Sequence, residues 1–253
     1  IVDAMAAGAG WVEGDPEDYD RHTRLLPADL WAFLEVTQPK KVETLEKRFG
    51  STYRQDVEKL IAKELDRRPA SVLRLLRHGF EVRSVKLDLA YFKPAHGLTA
   101  VLQERYDANR LTVVRQLPYS PDHNNTLDVA LFVNGLGVAT AELKNPLTGQ
   151  TVEQAKHQYR LDRDEKDPFL ARRAVVHFAV DPNQVFMTTA LAGKKTEFRP
   201  FNRGSDPTGG GGAGNPAGEG GRHATAYLWQ QVWARDAWMD ILGRFIHVEE
   251  EPG

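Results

Sequence analysis

Residues 127–146, LDVALFVNGLGVATAELKNP, constrain the fold more than any other part of the chain. Two largely apolar runs flank Asn134-Gly135, a dipeptide that strongly favours a tight turn between two antiparallel strands. Segments with helical periodicity alternate with segments typical of strands through the rest of the chain. The sequence therefore predicts a domain of the α/β or α+β class with a strongly apolar hairpin in its sheet.

Three charged side chains interrupt this hairpin: Asp128 in its first strand, and Glu142 and Lys144 in its second. Two carboxylates in an apolar setting repel each other and lose hydration, and a hard cation removes both problems. Magnesium takes oxygen ligands and keeps several waters, so one or two carboxylates are enough. Glu142 and Lys144 are two residues apart on a strand and therefore face the same side. The pattern predicts a metal site for phosphodiester hydrolysis, with Lys144 beside the water or the phosphate.

The spacing of Glu142 and Lys144 is common by itself. An acid followed two residues later by lysine occurs again at Asp164 and Lys166, in a polar stretch where charges are usually solvated. The copy in the hairpin is favoured because its neighbours are apolar and Asp128 lies on the partner strand. The alternative interpretation is that the hairpin charges are ordinary surface charges at strand ends.

A shared metal requires Asp128 and Glu142 to lie on one face of the sheet. An unbulged two-residue turn at Asn134-Gly135 would place Asp128 opposite Ala141 and leave Glu142 on the other face. A three-residue loop, or a single-residue bulge in either strand, restores the required parity. The metal hypothesis therefore predicts one of these two irregularities.

Composition narrows the class of protein only in part. The 253 residues, 41% of them hydrophobic, allow one large domain or two small ones. The net charge of −2 supplies no overall basic field for nucleic acid, although a local patch is enough for binding. The absence of cysteine excludes disulfides and thiolate metal sites and is compatible with the cytoplasm. No apolar run approaches the roughly 18 residues of a membrane span.

We expect one domain over residues 1–253 with an N-terminal helical extension. A glycine-rich loop is predicted at about residues 203–222, without the lysine that a phosphate-binding loop requires. The predicted helices cover residues 27–39, two segments of 44–78 divided at Pro69, 97–110, 151–163 and 225–247. The predicted strands cover residues 80–92, 111–120, the two arms of the hairpin, 174–180 and 185–191.

The predicted helix after the hairpin carries a candidate basic face. Lys156, Arg160 and Arg163 recur at helical spacing and together could contact DNA phosphates. Three acids at positions 162, 164 and 165 are interleaved with them, which favours the alternative of a solvated helix with internal ion pairs.

The hairpin sequence, extended to LDVALFVNGLGVATAELKNPLTGQ, resembles the nuclease core in the restriction (motor) subunit of type I restriction-modification enzymes. The similarity runs along the whole chain and includes YFKP, RQLPYS, VVHFAVDPNQVFMTTAL, FRPFNRG and TAYLWQQVWARDAWMDILGRFIH. The resemblance implies the α/β fold of PD-(D/E)xK nucleases, which has a central mixed β-sheet flanked by helices. It also implies that both ends of the chain are cuts in a longer protein.

The resemblance assigns roles to residues of this chain. Asp128, Glu142 and Lys144 match the catalytic motif, and Leu127 stands where the name-giving proline would be. The implied ligands of Mg²⁺, or of Mn²⁺ as its substitute, are Asp128, Glu142 and the carbonyl of Leu143. Related nucleases carry a Gln-x-x-x-Tyr motif on the next helix, but here the glutamine and the tyrosine are five residues apart. The implied DNA contacts are Gln154, Gln158, Tyr159, Lys156 and Arg160.

The function implied by the resemblance is that of a Mg²⁺-dependent DNA endonuclease domain without sequence recognition of its own. Its implied partners are double-stranded DNA and the modification and specificity subunits, and it has no membrane partner. ATP would serve only the translocase lobes of the full-length subunit, which this chain lacks. Two alternatives stay open: a catalytically silent DNA-binding or docking module with the same fold, and a nuclease for RNA or for DNA junctions.

Overall fold

The structure is a computed structural model and describes residues 1–94, 100–145, 149–204 and 214–248. Its centre is a mixed β-sheet, and a short separate hairpin lies outside it. The strands are β1 (Val12–Gly14), β2 (Phe80–Val82), β3 (Val85–Leu87), β4 (Leu111–Pro118), β5 (Thr126–Val133), β6 (Leu136–Leu143), β7 (Val176–Val180), β8 (Val185–Thr188) and β9 (Arg199–Pro200).

The helices flank this sheet and belong largely to the two ends of the chain. They are α1 (Val2–Gly8), α2 (Pro27–Thr37), α3 (Pro39–Phe49), α4 (Tyr53–Leu65), α5 (Ser71–His78), α6 (Ala100–Asp107), α7 (Val152–His157) and α8 (Arg235–Asp240). The segments Gln158–Asp162 and Ile241–Phe245 continue α7 and α8 as π-helices, and Phe169–Arg173 and Leu228–Val232 form two more. No helix in these described ranges is long and apolar enough to cross a membrane.

The seven strands of the central sheet follow the order β1-β4-β5-β6-β7-β8-β9. The β1–β4 and β6–β7 pairs are parallel, and the remaining neighbours are antiparallel. The hairpin of β5 and β6 occupies the middle of the sheet, and nearly all of its side chains are buried. A mixed sheet between helices is the α/β architecture predicted from the sequence, and that prediction is confirmed.

The turn between β5 and β6 has the two residues of the simplest sequence interpretation. Asn134 and Gly135 both have positive φ, 50° and 80°, which the turn favoured by an Asn-Gly dipeptide requires. The Asn134 amide donates to the carbonyl of Leu89 at 2.9 Å, so a distant segment also holds the turn. A Cβ at Gly135 would lie 2.4 Å from the carbonyl oxygen of Leu26, so the close approach of α2 also requires glycine.

A single-residue bulge restores the parity that the metal hypothesis requires. Leu131 lies opposite Ala139, but the next residue of β5 lies opposite Gly137, which leaves Val138 as the extra residue. Continuing the register beyond the bulge places Asp128 opposite Glu142, on the same face of the sheet. The prediction of a bulge or a longer loop is therefore confirmed, and the bulge is the device used.

Three predictions of local structure were wrong. Residues 80–92 do not form one strand, because the chain turns at Arg83-Ser84, both with positive φ, into the separate β2–β3 hairpin. Residues 44–78 contain parts of three helices, since a break at Gly50 (φ 72°) precedes the predicted break at Pro69. The C-terminal helix is interrupted between Leu228–Val232 and α8. Of the glycine-rich loop, residues 205–213 lie outside the described residues.

A buried arginine connects the N-terminal helices to the segment before β7. The Arg173 side chain is fully buried and forms two hydrogen bonds, at 2.8 and 3.0 Å, with the carboxylate of Asp66 just after α4. It also donates to the backbone carbonyls of Thr23 and Arg24. Because each donor has a partner, the buried charge is compensated, and the arginine fixes how the helical part packs against the sheet.

Candidate active site

The structure brings Asp128, Glu142 and Lys144 together at one end of the central hairpin. Asp128 lies near the start of β5, and Glu142 lies near the end of β6 in the facing register. The Leu143 backbone N–H donates to Asp128 Oδ2 at 2.8 Å. Lys144 Nζ lies 3.9 Å from the same oxygen. The two acids and the lysine of the sequence motif therefore form one cluster.

Glu142 is the most deeply buried member of the cluster, with an exposed fraction of 0%. Arg163 binds its Oε1 atom with two nitrogens, at 2.8 Å from Nε and 2.7 Å from Nη2. Within the part of the chain that the structure describes, Glu142 Oε2 has no hydrogen-bond partner. Burial raises the pKa of Glu142 to about 8, the charge of Asp128 adds to this effect, and Arg163 opposes it.

Asp128 is more accessible, and two donors hold its carboxylate. The Leu143 backbone binds Oδ2, and the Gln116 amide of β4 donates to Oδ1 at 2.9 Å. Gln116 also accepts a hydrogen bond from Thr126 Oγ1 at 2.8 Å. Its φ of 48° inside a strand is a strained conformation for a residue other than glycine. This strained glutamine fixes the orientation of the carboxylate from the neighbouring strand.

Lys144 is held by the helix that follows the hairpin. Its Nζ donates to Gln158 Oε1 at 2.5 Å, and only 11% of its side chain is exposed. Gln158 therefore joins the cluster, as a partner of the lysine. Gln154 does not, because its side-chain oxygen accepts from the Thr151 backbone N–H at 2.7 Å and caps the start of α7.

Tyr159 is not placed to contact DNA. Its side chain is fully buried, and its hydroxyl forms a hydrogen bond of 2.7 Å with Thr140 Oγ1, beneath Glu142 on the same face of β6. Thr140 Oγ1 lies 2.8 Å from Nδ1 of the buried His177. Burial raises the pKa of the Tyr159 hydroxyl and lowers that of His177 to about 4, so both groups are neutral near pH 7. The tyrosine supports the floor of the cluster.

The basic face predicted on this helix is occupied by contacts within the domain. Lys156 is buried, pairs with Glu153 at 2.5 Å and lies 4.1 Å from the centre of the Phe186 ring. Arg160 donates to the carbonyl of Thr196 at 3.0 Å. Arg163 is the partner of Glu142. Lys156 and Arg160 therefore have partners within the domain, and their contact with DNA stays a prediction.

The donor atoms of the cluster suit a hard divalent cation. Asp128 and Glu142 supply carboxylate oxygens, and the backbone carbonyl of Leu143 lies between Glu142 and Lys144 in the chain. No group of three or more Asp, Glu, His or Cys side chains in the described residues could hold a metal ion. Magnesium tolerates such a small set because it keeps several waters. The buried Oε2 of Glu142 has no partner in the described residues, and burial keeps this carboxyl, with its pKa of about 8, protonated near pH 7. A cation would take the place of that proton and compensate the carboxylate charge, so the residues fit.

Sequence reasoning missed two members of the cluster. Gln116 follows Arg115 in the second half of LTVVRQLP, and this polar pair inside a strand pattern was the available signal. Arg163 was considered only as part of a basic face. Neither residue follows a fixed spacing from Glu142 that would have identified it as a partner.

The family model that describes the type I restriction enzyme R protein N terminus matches residues 10–196. The chain belongs to this family. The matched range contains the strands from β1 to β8 of the R-protein domain and includes Asp128, Glu142 and Lys144. The resemblance noted in the sequence is thereby confirmed. No curated protein and no solved structure matched the chain.

Proposed function

We propose that this R-protein domain is the Mg²⁺-dependent DNA endonuclease of a type I restriction enzyme and cuts DNA without sequence recognition of its own. The observation that carries the proposal is the bulge at Val138, which places Asp128 and Glu142 on one face, with Lys144 3.9 Å from Asp128. The proposed partners are double-stranded DNA and the modification and specificity subunits. ATP would serve only the remainder of the R subunit.

In this mechanism the carboxylates of Asp128 and Glu142 and the carbonyl of Leu143 would hold Mg²⁺, or Mn²⁺ as its substitute. When bound, the cation would ease deprotonation of a water and stabilise charge on phosphoryl oxygens. Lys144 orients the attacking water or meets the charge that grows on the phosphate. The hydrogen bond from Lys144 to Gln158 limits the positions of the ammonium, so the lysine meets the water or the phosphate from one direction.

The ion pair between Glu142 and Arg163 favours a second candidate function. Arg163 already offsets part of the charge that a cation would compensate, and it does so within a buried site. A domain that kept the fold and the ion pair but had lost metal binding would be a catalytically silent DNA-binding or docking module. The two candidates differ in whether the domain binds Mn²⁺ and cuts DNA.

The variants Glu142→Ala and Lys144→Ala test the proposal. We expect Glu142→Ala to weaken Mn²⁺ binding and abolish cutting, because a ligand is lost. Lys144→Ala should leave Mn²⁺ bound but also stop cutting, because no ammonium stabilises the negative charge of the transition state. The measurements are calorimetry with Mn²⁺ and nicking of supercoiled plasmid.

The chain supplies a matched control for these variants in its second acid-x-lysine pattern. Lys166→Ala changes an exposed lysine outside the cluster and should leave nicking unchanged. Normal nicking by both Glu142→Ala and Lys144→Ala would contradict the proposed nuclease. A wild-type domain that binds DNA but neither binds Mn²⁺ nor nicks plasmid would identify the silent module.

A further inference from the structure

A cleft of about 620 Å³ adjoins the cluster at the ends of β6 and β7. Lys144 forms part of one wall, and the turn after β7, with Asp181 and Asn183, forms another. His223 and Trp229 close the cleft from the C-terminal part of the chain, beyond the range that matches the family model. Because Lys144 belongs both to the cluster and to the cleft, a strand whose phosphate reaches this lysine lies against the cleft.

The charges of the described lining do little to repel a polyanion. Asp181 is the acidic residue of the lining, and its carboxylate accepts three backbone hydrogen bonds of 2.7–2.8 Å, from Asn183, Gln184 and Val152. A carboxylate bound by three N–H groups has most of its charge compensated locally. Lys144 contributes a cation to the same lining. The cleft therefore opposes a phosphodiester strand less than its acid content alone would indicate.

The aromatic wall offers a ring on which a base can stack. His223 is exposed, and its ring packs at 69° against Trp229, with 6.4 Å between ring centroids. Trp229 itself is buried, with 6% exposed, and so gives the imidazole a rigid support. An exposed ring beside a lysine is the combination with which proteins bind unpaired bases and their phosphates.

The size of the cleft favours a single strand over a duplex. Clefts of this volume hold compact ligands of tens of atoms, which corresponds to one or two nucleotides. We propose that the cleft binds one or two unpaired nucleotides of the strand being cut, next to the scissile phosphate, with a base stacked on His223. The proposal rests on the proposed nuclease function and specifies its substrate as locally unpaired DNA.

Binding to labelled DNA tests this proposal without cutting. The wild-type chain, His223→Ala and Asn183→Glu are compared by fluorescence anisotropy, in the presence of a chelator, on a short oligothymidine and on a duplex of equal length. We expect His223→Ala to weaken binding of the oligothymidine at least about five-fold, as loss of one base–aromatic stack does. We expect Asn183→Glu, a change at an exposed position, to weaken it through charge repulsion. Binding of the duplex should change less than about two-fold in either variant.

His22→Ala provides the matched control. His22 is also exposed and lines another cleft of about 580 Å³, where Asp20 and Glu58 are among its neighbours. This variant should bind the oligothymidine as the wild-type chain does. Unchanged binding of oligothymidine by His223→Ala and Asn183→Glu would overturn the proposal, and so would an equal loss on both DNA forms. If His223→Ala fails to fold, as circular dichroism would show, Asn183→Glu alone decides.

The outcomes separate this inference from the proposed function. In one outcome, the domain binds oligothymidine through His223 but never nicks plasmid. This result would support the cleft as a site for unpaired DNA and would contradict the nuclease proposal. In the other outcome, nicking depends on Glu142 and Lys144, but His223→Ala leaves oligothymidine binding unchanged. This result would support the nuclease and would contradict the cleft proposal.

Discussion

Replacing Glu142 with glutamine should remove a pH-dependent loss of stability that the buried carboxyl imposes on the metal-free domain. Below the ordinary pKa of 4.5 the carboxyl is neutral in both states and imposes no penalty. Above it the unfolded carboxyl ionises, while the folded one stays protonated until about pH 8. The unfolded state then binds fewer protons, so the free energy of unfolding falls as pH rises through this window. Glutamine has no such proton to lose.

The pKa shift sets the size of the effect. A difference of one pKa unit between the two states corresponds to about 1.4 kcal/mol, so a rise from 4.5 to about 8 gives roughly 5 kcal/mol over the whole window. Of this, about 3 kcal/mol falls between pH 5 and pH 8. His177 acts in the opposite direction, because burial lowers its pKa to about 4 and its contribution to stability rises with pH. His177 is present in both proteins, so its contribution cancels when the free energy of unfolding of the wild-type chain is subtracted from that of Glu142→Gln at each pH.

Urea unfolding of both proteins at pH 5 and pH 8, in the presence of a chelator, measures the difference. Glu142→Gln should gain about 3 kcal/mol relative to the wild-type chain between the two pH values. Glu104→Gln, at an exposed position on α6, controls for the general loss of one carboxylate and should show no such gain. The reasoning from burial would be refuted if the free energies of unfolding of the wild-type chain and Glu142→Gln differed by the same amount at both pH values.

Three further perturbations test other parts of the structure. Arg163→Met should lower the free energy of unfolding by about 3 kcal/mol at pH 8, because the buried Glu142 loses its partner. The double variant with Glu142→Gln should recover much of this loss. If the effects of the two substitutions on the free energy of unfolding simply added, the pairing would be contradicted. Gly135→Ala should destabilise the domain more than Gly50→Ala in urea unfolding, because both glycines have positive φ but, of the two, only Gly135 lacks space for a Cβ. Equal losses of unfolding free energy in the two variants would contradict this. Duplex binding by the wild-type domain should be weak and should fall as salt rises from about 50 to about 200 mM, because few phosphate contacts are made; affinity that does not change with salt would argue against this.

The central hairpin shows how far the sequence can be taken. The spacing of Asp128 and Glu142 around Asn134-Gly135 required one extra residue in the hairpin, and the bulge at Val138 confirms it. The sequence did not distinguish a bulge from a longer loop. The tertiary structure chose the two-residue turn because Asn134 is buried and hydrogen-bonded to a segment 45 residues earlier in the chain.

The helix after the hairpin shows the opposite case. Periodicity correctly predicted a helix over α7 and its π-helical continuation, and it placed Lys156, Arg160 and Arg163 at related positions. Lys156 pairs with Glu153 on the same helix, whereas Arg160 and Arg163 bind Thr196 and Glu142 in other segments. The basic face for DNA stays a prediction, and two of its three side chains have partners that the periodicity did not indicate. Periodicity describes where side chains lie around one helix and contains no information about what packs against it.

The sequence by itself determined which groups can carry chemistry and the element on which each lies. The apolar strands, the turn dipeptide and the positions of Asp128, Glu142 and Lys144 are local properties, so pattern and parity were sufficient. Only the tertiary structure decided that Arg163, 21 residues beyond Glu142, would bind its carboxylate, and that this carboxylate would be fully buried. Burial and charge pairing depend on every segment packed around a group, and for that reason the raised pKa of Glu142 and the cleft beside Lys144 follow from the folded chain alone.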